Sequence, residues 1–122
     1  MASAEVPNHG EIWLVSLGAA RKGEPGKNRP AIVISADELL GGLEDELIVV
    51  VPLSSSRAPS KLRPPVSRMT GIDAGSAAIP RAIRAVSRRR LLRPLGRLES
   101  ETLAAVERAL ATVLALDLPL DK

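Results

Sequence analysis

Two segments decide the fold: Arg29-Pro30-Ala31-Ile32-Val33-Ile34 and Leu47-Ile48-Val49-Val50-Val51-Pro52-Leu53-Ser54-Ser55-Ser56. Both are short apolar runs dominated by β-branched side chains, which favour extended backbone. Pro30 has no N–H to give a ladder, so it suits the start of a strand running to about Ser35. The second run, 46–53, is apolar throughout, as expected of a strand buried on both faces. Pro52 breaks a ladder bond, which places that end at a sheet edge or a bulge. It then meets the hydroxyl cluster Ser54-Ser55-Ser56.

Working outward, residues 10–17 (Gly10-Glu11-Ile12-Trp13-Leu14-Val15-Ser16-Leu17) read as an earlier strand. Residues 18–28 form a loop too long for a tight hairpin, with Gly18, Gly23, Pro25 and Gly26 among Arg21, Lys22, Lys27 and Asn28. Residues 36–40 fit one helical turn. Residues 54–65 form a second basic loop carrying Arg57, Lys61 and Arg63. Short strands are expected from Val66 and over 76–80. The alternation in Arg81-Ala82-Ile83-Arg84-Ala85-Val86 predicts a half-buried strand. A turn of helix at 88–92 leads into an edge strand over 92–98. The spacing of Leu103, Val106, Leu110, Val113 and Leu114 predicts an amphipathic helix, with Ser100 as N-cap and its apolar stripe against the sheet. Five to seven short strands with one terminal helix predict a mainly β (α+β) domain over 1–122: a small, curled, barrel-like antiparallel sheet.

Composition narrows the chemistry. The chain has no cysteine, which excludes disulfides, thiol catalysis and cysteine–zinc sites and favours a cytoplasmic location. A single histidine, His9, cannot build a multi-histidine metal centre, and it reads as a solvated residue before the first strand. No metal and no cofactor are expected. No apolar stretch approaches the roughly 20 residues of a membrane helix. The net charge is +3, unevenly distributed. Between Leu47 and Leu98 eleven bases face one acid, Asp73, so this stretch carries +10 while its flanks are net acidic. Such a field attracts polyanions, above all nucleic acid. Trp13 is the only aromatic residue, so bases cannot stack on a platform of rings.

Arg29 and Ser54 each stand where a strand meets a basic loop. A guanidinium is a permanent, bidentate phosphate clamp, suited to stabilising charge that develops on a phosphodiester. A serine hydroxyl can orient a ribose 2′-OH or a phosphate oxygen but needs help to act as a base. Residue type and position leave alternatives open, because an Arg-Pro at a strand start also serves structure and a serine run is also a turn. No carboxylate pair supports acid–base hydrolysis of a glycoside. The segment 23–28 lacks the spacing of a nucleotide-binding phosphate loop.

Taken in order, these segments resemble the MazF/PemK-type toxins. The resemblance rests on Gly10-Glu11-Ile12-Trp13-Leu14, a glycine- and lysine-containing loop, Arg29-Pro30-Ala31-Ile32-Val33-Ile34, Val49-Val50-Val51-Pro52-Leu53-Ser54-Ser55, the segment 82–91 and the terminal helix, covering about 10–116. It implies an SH3-like plus-barrel, a homodimer, and an endoribonuclease that cuts single-stranded RNA without metal to leave a 2′,3′-cyclic phosphate and a 5′-OH. It also implies a cognate antitoxin whose tail occupies the RNA groove. Arg29 and Ser54 then take the catalytic positions, with serine where the family more often has threonine and with Ser55 as the neighbouring alternative. Arg21, Lys22, Lys27, Asn28, Ser55, Arg57, Lys61, Arg63 and Arg84 are the expected RNA contacts. The competing reading is a non-catalytic SH3-like module that binds nucleic acid or protein.

Overall fold

The computed structural model describes residues 5–18, 27–56, 58–67 and 72–117. Among the described residues six strands and one α-helix follow in order: β1 (Glu11–Ser16), β2 (Asn28–Val33), β3 (Leu47–Ser54), β4 (Ala77–Ala78), β5 (Arg84–Ser87), β6 (Leu91–Arg97) and α1 (Ser100–Val113). All pairings are antiparallel. The strand order is β4-β3-β2-β1-β6, and β5 pairs with β3. Because β5 and β6 are joined by a single 3-10 turn, Arg88–Arg90, the sheet curls round and brings its two flanks together. The result is the expected antiparallel barrel with a C-terminal helix.

Alternation along the strands builds two cores on the two faces of one sheet. Trp13, Val15, Ala31, Val33, Ile48, Val50, Val86 and Leu91 fill the inside of the curl. Ile12, Ile32, Val51 and Leu53 point the other way, where Val66, Ile72, Ala78 and Leu98 join them. The stripe of α1 docks on this second core through Val106 and Leu110, with Leu103 partly buried beside them. Each fully buried side chain of this size contributes about 1.5–3 kcal/mol. Gly10 lies under the helix with φ +87°, and a Cβ there would stand 3.0 Å from the Leu103 side chain. Both the backbone and the helix contact therefore require glycine.

Several boundaries differ from the sequence reading. β2 begins at Asn28, so Arg29 lies within the strand. Pro52 is buried inside the sheet and not at an edge. Its carbonyl accepts the Ile79 N–H, so its missing donor faces the side where the two-residue β4 has already run out. The strand expected over 76–80 shrinks to β4, because Pro80 opens a 3-10 turn through Ala82. That turn also delays the next strand to Arg84. Of the strand expected from Val66, only Val66 and Ser67 lie among the described residues, and neither is in a strand. The segment makes one isolated bridge, Pro65 with Ala77, and Val66 plugs the second core. Ser100 is the first helical residue, and Glu99 takes the cap position without a side-chain bond.

Candidate functional site

The β2–β3 register sets Ala31 opposite Pro52, Ile32 opposite Val51 and Val33 opposite Val50. Both strands continue, β2 back to Asn28 and β3 on to Ser54. The paired ladder ends at Ala31 and Pro52, and alternation two residues further along each strand turns Arg29 and Ser54 to the same face as that pair. On the other side of β2, Arg29 pairs with Val15. Arg29 and Ser54 thus lie on the inner face, at the mouth of the curl where β1 ends, β2 begins and β3 ends.

Arg29 is half-buried. Ser54 is 5 % exposed, and its hydroxyl is oriented by its own chain. Its Oγ accepts the Ser56 N–H at 3.1 Å and shares a hydrogen bond with the Ser56 Oγ at 2.9 Å. Ser56 is a part of this arrangement that the sequence reading missed. The signal was its place two residues beyond a strand end, where a serine closes a local turn. Ser55, one residue along, is exposed, and the alternation of the strand turns it away from the Arg29 face.

Other cations gather at the same mouth. Arg84 sits opposite Val50 on the inner face, and its Nη1 reaches across to the Leu17 carbonyl at 3.3 Å. Arg90, also missed by the sequence reading, donates from Nη1 to the Ser16 carbonyl at 3.2 Å. Lys27 and Asn28 are exposed at the start of β2. In the second basic loop Lys61 is exposed, while Arg63 is turned inward, its Nε donating to the Ala58 carbonyl at 2.8 Å. Arg21, Lys22 and Arg57 lie outside the described residues. Glu11, Asp37, Glu38, Glu44, Asp45 and Glu46 all fall toward the opposite end, where β1 and β3 start. The cations at the mouth draw anions, while Arg97 and the backbone of Arg88 and Arg89 lie among the acids at the other end.

Two residues have different surroundings from those expected. Arg88, one of the eleven bases of the central stretch, is only 7 % exposed. Its guanidinium lies 5.0 Å from the centre of the Trp13 ring and donates to the carbonyls of Leu91 at 3.1 Å and Glu5 at 2.7 Å. It serves the core, not the field. His9 is not simply solvated. Its Nδ1 bonds the Ile34 carbonyl and its Nε2 the Glu107 carboxylate, each at 2.9 Å. Burial opposes the charge on the ring, but these two bonds and the nearby Glu107 charge outweigh it and raise the His9 pKa above 6.5. Among the described residues no group of three or more His, Asp or Glu side chains is placed to hold a metal ion. No described helix is long and apolar enough to cross a membrane.

The same architecture recurs in known proteins. MazF from Deinococcus radiodurans superposes with a TM-score of 0.77 at 21 % identity, covering 91 % of this chain and 98 % of that one. A mycobacterial endoribonuclease solved with its cognate antitoxin superposes at 0.73 and 19 % identity, covering 93 % and 99 %. In sequence, endoribonuclease MazF9 of Mycobacterium tuberculosis is 38 % identical over 108 residues, which span 83 % of this chain and 90 % of that protein. Residues 8–114 match the family described as the PemK-like, MazF-like toxin of type II toxin–antitoxin systems. The order of strands, the basic mouth and this match over most of the chain agree, and the chain belongs to the MazF/PemK toxin family.

Proposed function

We propose that this chain is the toxin of a type II toxin–antitoxin pair, an endoribonuclease that cleaves single-stranded RNA in the cytoplasm through Arg29 and Ser54. What supports the reading is the alternation of the paired strands β2 and β3, which gives the Arg29 guanidinium and the oriented Ser54 hydroxyl the same face at a mouth rich in cations. In the reaction the ribose 2′-OH gives up its proton and the 2′ oxygen bonds to the adjacent phosphorus. The P–O5′ bond breaks, and O5′ leaves protonated. The products are a 2′,3′-cyclic phosphate and a 5′-OH. Negative charge builds on the phosphoryl oxygens along this path, and Arg29 stabilises it with two parallel N–H donors. The Ser54 oxygen already accepts the Ser56 amide, so its rotation is restricted and its remaining capacity can hold the 2′-OH or a phosphate oxygen in line. These steps need no metal or cofactor.

Lys27, Asn28, Ser55, Lys61 and Arg63, together with Arg21, Lys22 and Arg57, supply contacts to the RNA backbone and bases around this centre. Two copies of the chain pair so that their basic mouths form one groove. A cognate antitoxin occupies that groove with an acidic and apolar tail. That a structural neighbour, a mycobacterial endoribonuclease, is solved in complex with its cognate antitoxin supports an antitoxin partner.

The test is incubation of the pure protein with a long single-stranded RNA in EDTA, followed by end-group analysis. Cleavage leaving cyclic phosphate ends is expected, and Arg29→Ala should lower the rate on the order of 10²–10³-fold with the fold intact. A folded Arg29→Ala protein that cleaves at the wild-type rate removes Arg29 from the site. An inactive wild-type protein leaves a non-catalytic binding module.

A further inference from the structure

The ladder between β1 and β6 ends where Val15 faces Leu91. Beyond it, the last carbonyls of β1 are held by side chains instead of a strand. Arg90, in the β5–β6 turn, takes the Ser16 carbonyl and Arg84, at the start of β5, takes the Leu17 carbonyl. Toward β2 the same residues close the base of the β1–β2 connection. The Leu17 N–H donates to the Lys27 carbonyl at 2.9 Å, and the Lys27 N–H donates to the Gly18 carbonyl. Gly18 has φ +80° and Lys27 has φ +61°. For lysine the left-handed region costs on the order of 1 kcal/mol or more, so this neck persists only because its surroundings hold it. The neck adjoins the site directly, with Ser16 opposite Asn28 and Val15 opposite Arg29.

The two arginines are themselves well anchored. Arg84 is set by its pairing with Val50, and Arg90 belongs to the 3-10 turn whose first residue, Arg88, is buried over Trp13. Among the described residues neither Arg84 nor Arg90 has an acidic partner. Both spend a donor on a backbone carbonyl, which is a holding contact.

We propose that Arg84 and Arg90 are positioning residues that clamp the neck at Ser16, Leu17 and Lys27, and that they govern RNA binding through the neck and not by touching phosphate. The proposal rests on the nuclease reading above. Arg29 and Ser54 stand on β2 and β3, whose pairing the clamp does not form. Loss of the clamp should therefore disturb the placement of Lys27 and Asn28 more than bond breaking.

The experiment pairs steady-state cleavage of a single-stranded RNA with hydrogen exchange at the Leu17 and Lys27 amides, in wild type, Arg90→Ala and Arg90→Lys. In Arg90→Ala, KM should rise about tenfold, the weight of one charge-assisted hydrogen bond, while kcat at saturating RNA changes little. Exchange at both amides should accelerate by a similar factor. Any fall in the slope of log KM against log salt should come through the displaced Lys27 and so only together with faster exchange, and Arg90→Lys, which keeps a donor, should recover much of the loss. A direct phosphate contact gives a different pattern: the slope falls by about 0.7 for each phosphate no longer neutralised. That change with unaltered exchange overturns the proposal. Unaltered exchange alone also overturns the clamp and leaves the nuclease reading standing. A wild-type protein that cleaves no RNA ends the nuclease reading and, with it, the role given to the neck. Should Arg90→Ala fail to fold, Arg90→Lys decides by the same two readouts, since near-wild-type exchange and KM are expected only if a donor at this position is what matters.

Discussion

Replacing Arg88 should damage stability far more than RNA binding, which separates it from the arginines around it. The guanidinium is 7 % exposed, stacked 5.0 Å from the Trp13 centroid, and bonded to the carbonyls of Leu91 and Glu5. A hydrogen bond from a charged donor contributes about 1.5–3 kcal/mol, and a partly desolvated cation–π contact adds about 1 kcal/mol. Removing the side chain also removes the cost of holding a charge in the core, which offsets part of that sum. A net loss of about 3 kcal/mol is expected for Arg88→Met, which keeps the apolar stem and strands the two carbonyls. That is a large share of the roughly 5–15 kcal/mol that holds a domain of this kind together. At about 4 °C per kcal/mol for a chain of this size, the midpoint should fall by about 12 °C. The assay is thermal and chemical denaturation followed by tryptophan emission, with Trp13 the only such residue in the chain. Arg88→Lys should fall between, because an ammonium cannot span both carbonyls and stack as a plane. An Arg88→Met protein within about 1 kcal/mol of wild type refutes the structural assignment. So does one of unchanged stability whose RNA binding loses salt dependence.

Ser54→Ala should cut cleavage strongly and cost about 1 kcal/mol of stability, since the Ser56 amide loses its acceptor but can reach water. Ser54→Thr should stay active. A greater loss of cleavage with Ser55→Ala than with Ser54→Ala would shift the site by one residue. His9 is protonated more readily in the fold than in the unfolded chain, so its contribution is complete below about pH 6.5 and disappears as pH rises through the raised folded value. The charges around it are Glu107 on the ring, Asp37 on its backbone N–H and Arg97 on its carbonyl. Denaturation of His9→Gln beside wild type should show a stability gap below about 1 kcal/mol that narrows from pH 6 to pH 8. A gap that widens over that range contradicts the assignment.

The sequence by itself determined most of the strands, the terminal helix and the two residues proposed for the centre. Runs such as Leu47-Ile48-Val49-Val50-Val51 and the spacing of Leu103, Val106 and Leu110 are local signals, because periodicity is written residue by residue. Arg29 and Ser54 were legible for the same reason, as a cation and a hydroxyl at strand ends. What the sequence could not give was the assignment of each arginine. Arg88, Arg89 and Arg90 are chemically identical neighbours, yet one is buried over Trp13, one is exposed, and one caps the Ser16 carbonyl. Those fates depend on partners far along the chain, Trp13 and Ser16, which reach the β5–β6 turn only when the sheet curls. The same holds for His9, whose Glu107 partner is 98 residues away. It holds also for Pro52, tolerated within the sheet because β4 is two residues long and ends beside it. Register, too, is a tertiary quantity: a slip of one residue between β2 and β3 would turn Arg29 and Ser54 to opposite faces, and only burial of the alternating side chains on both cores prevents it.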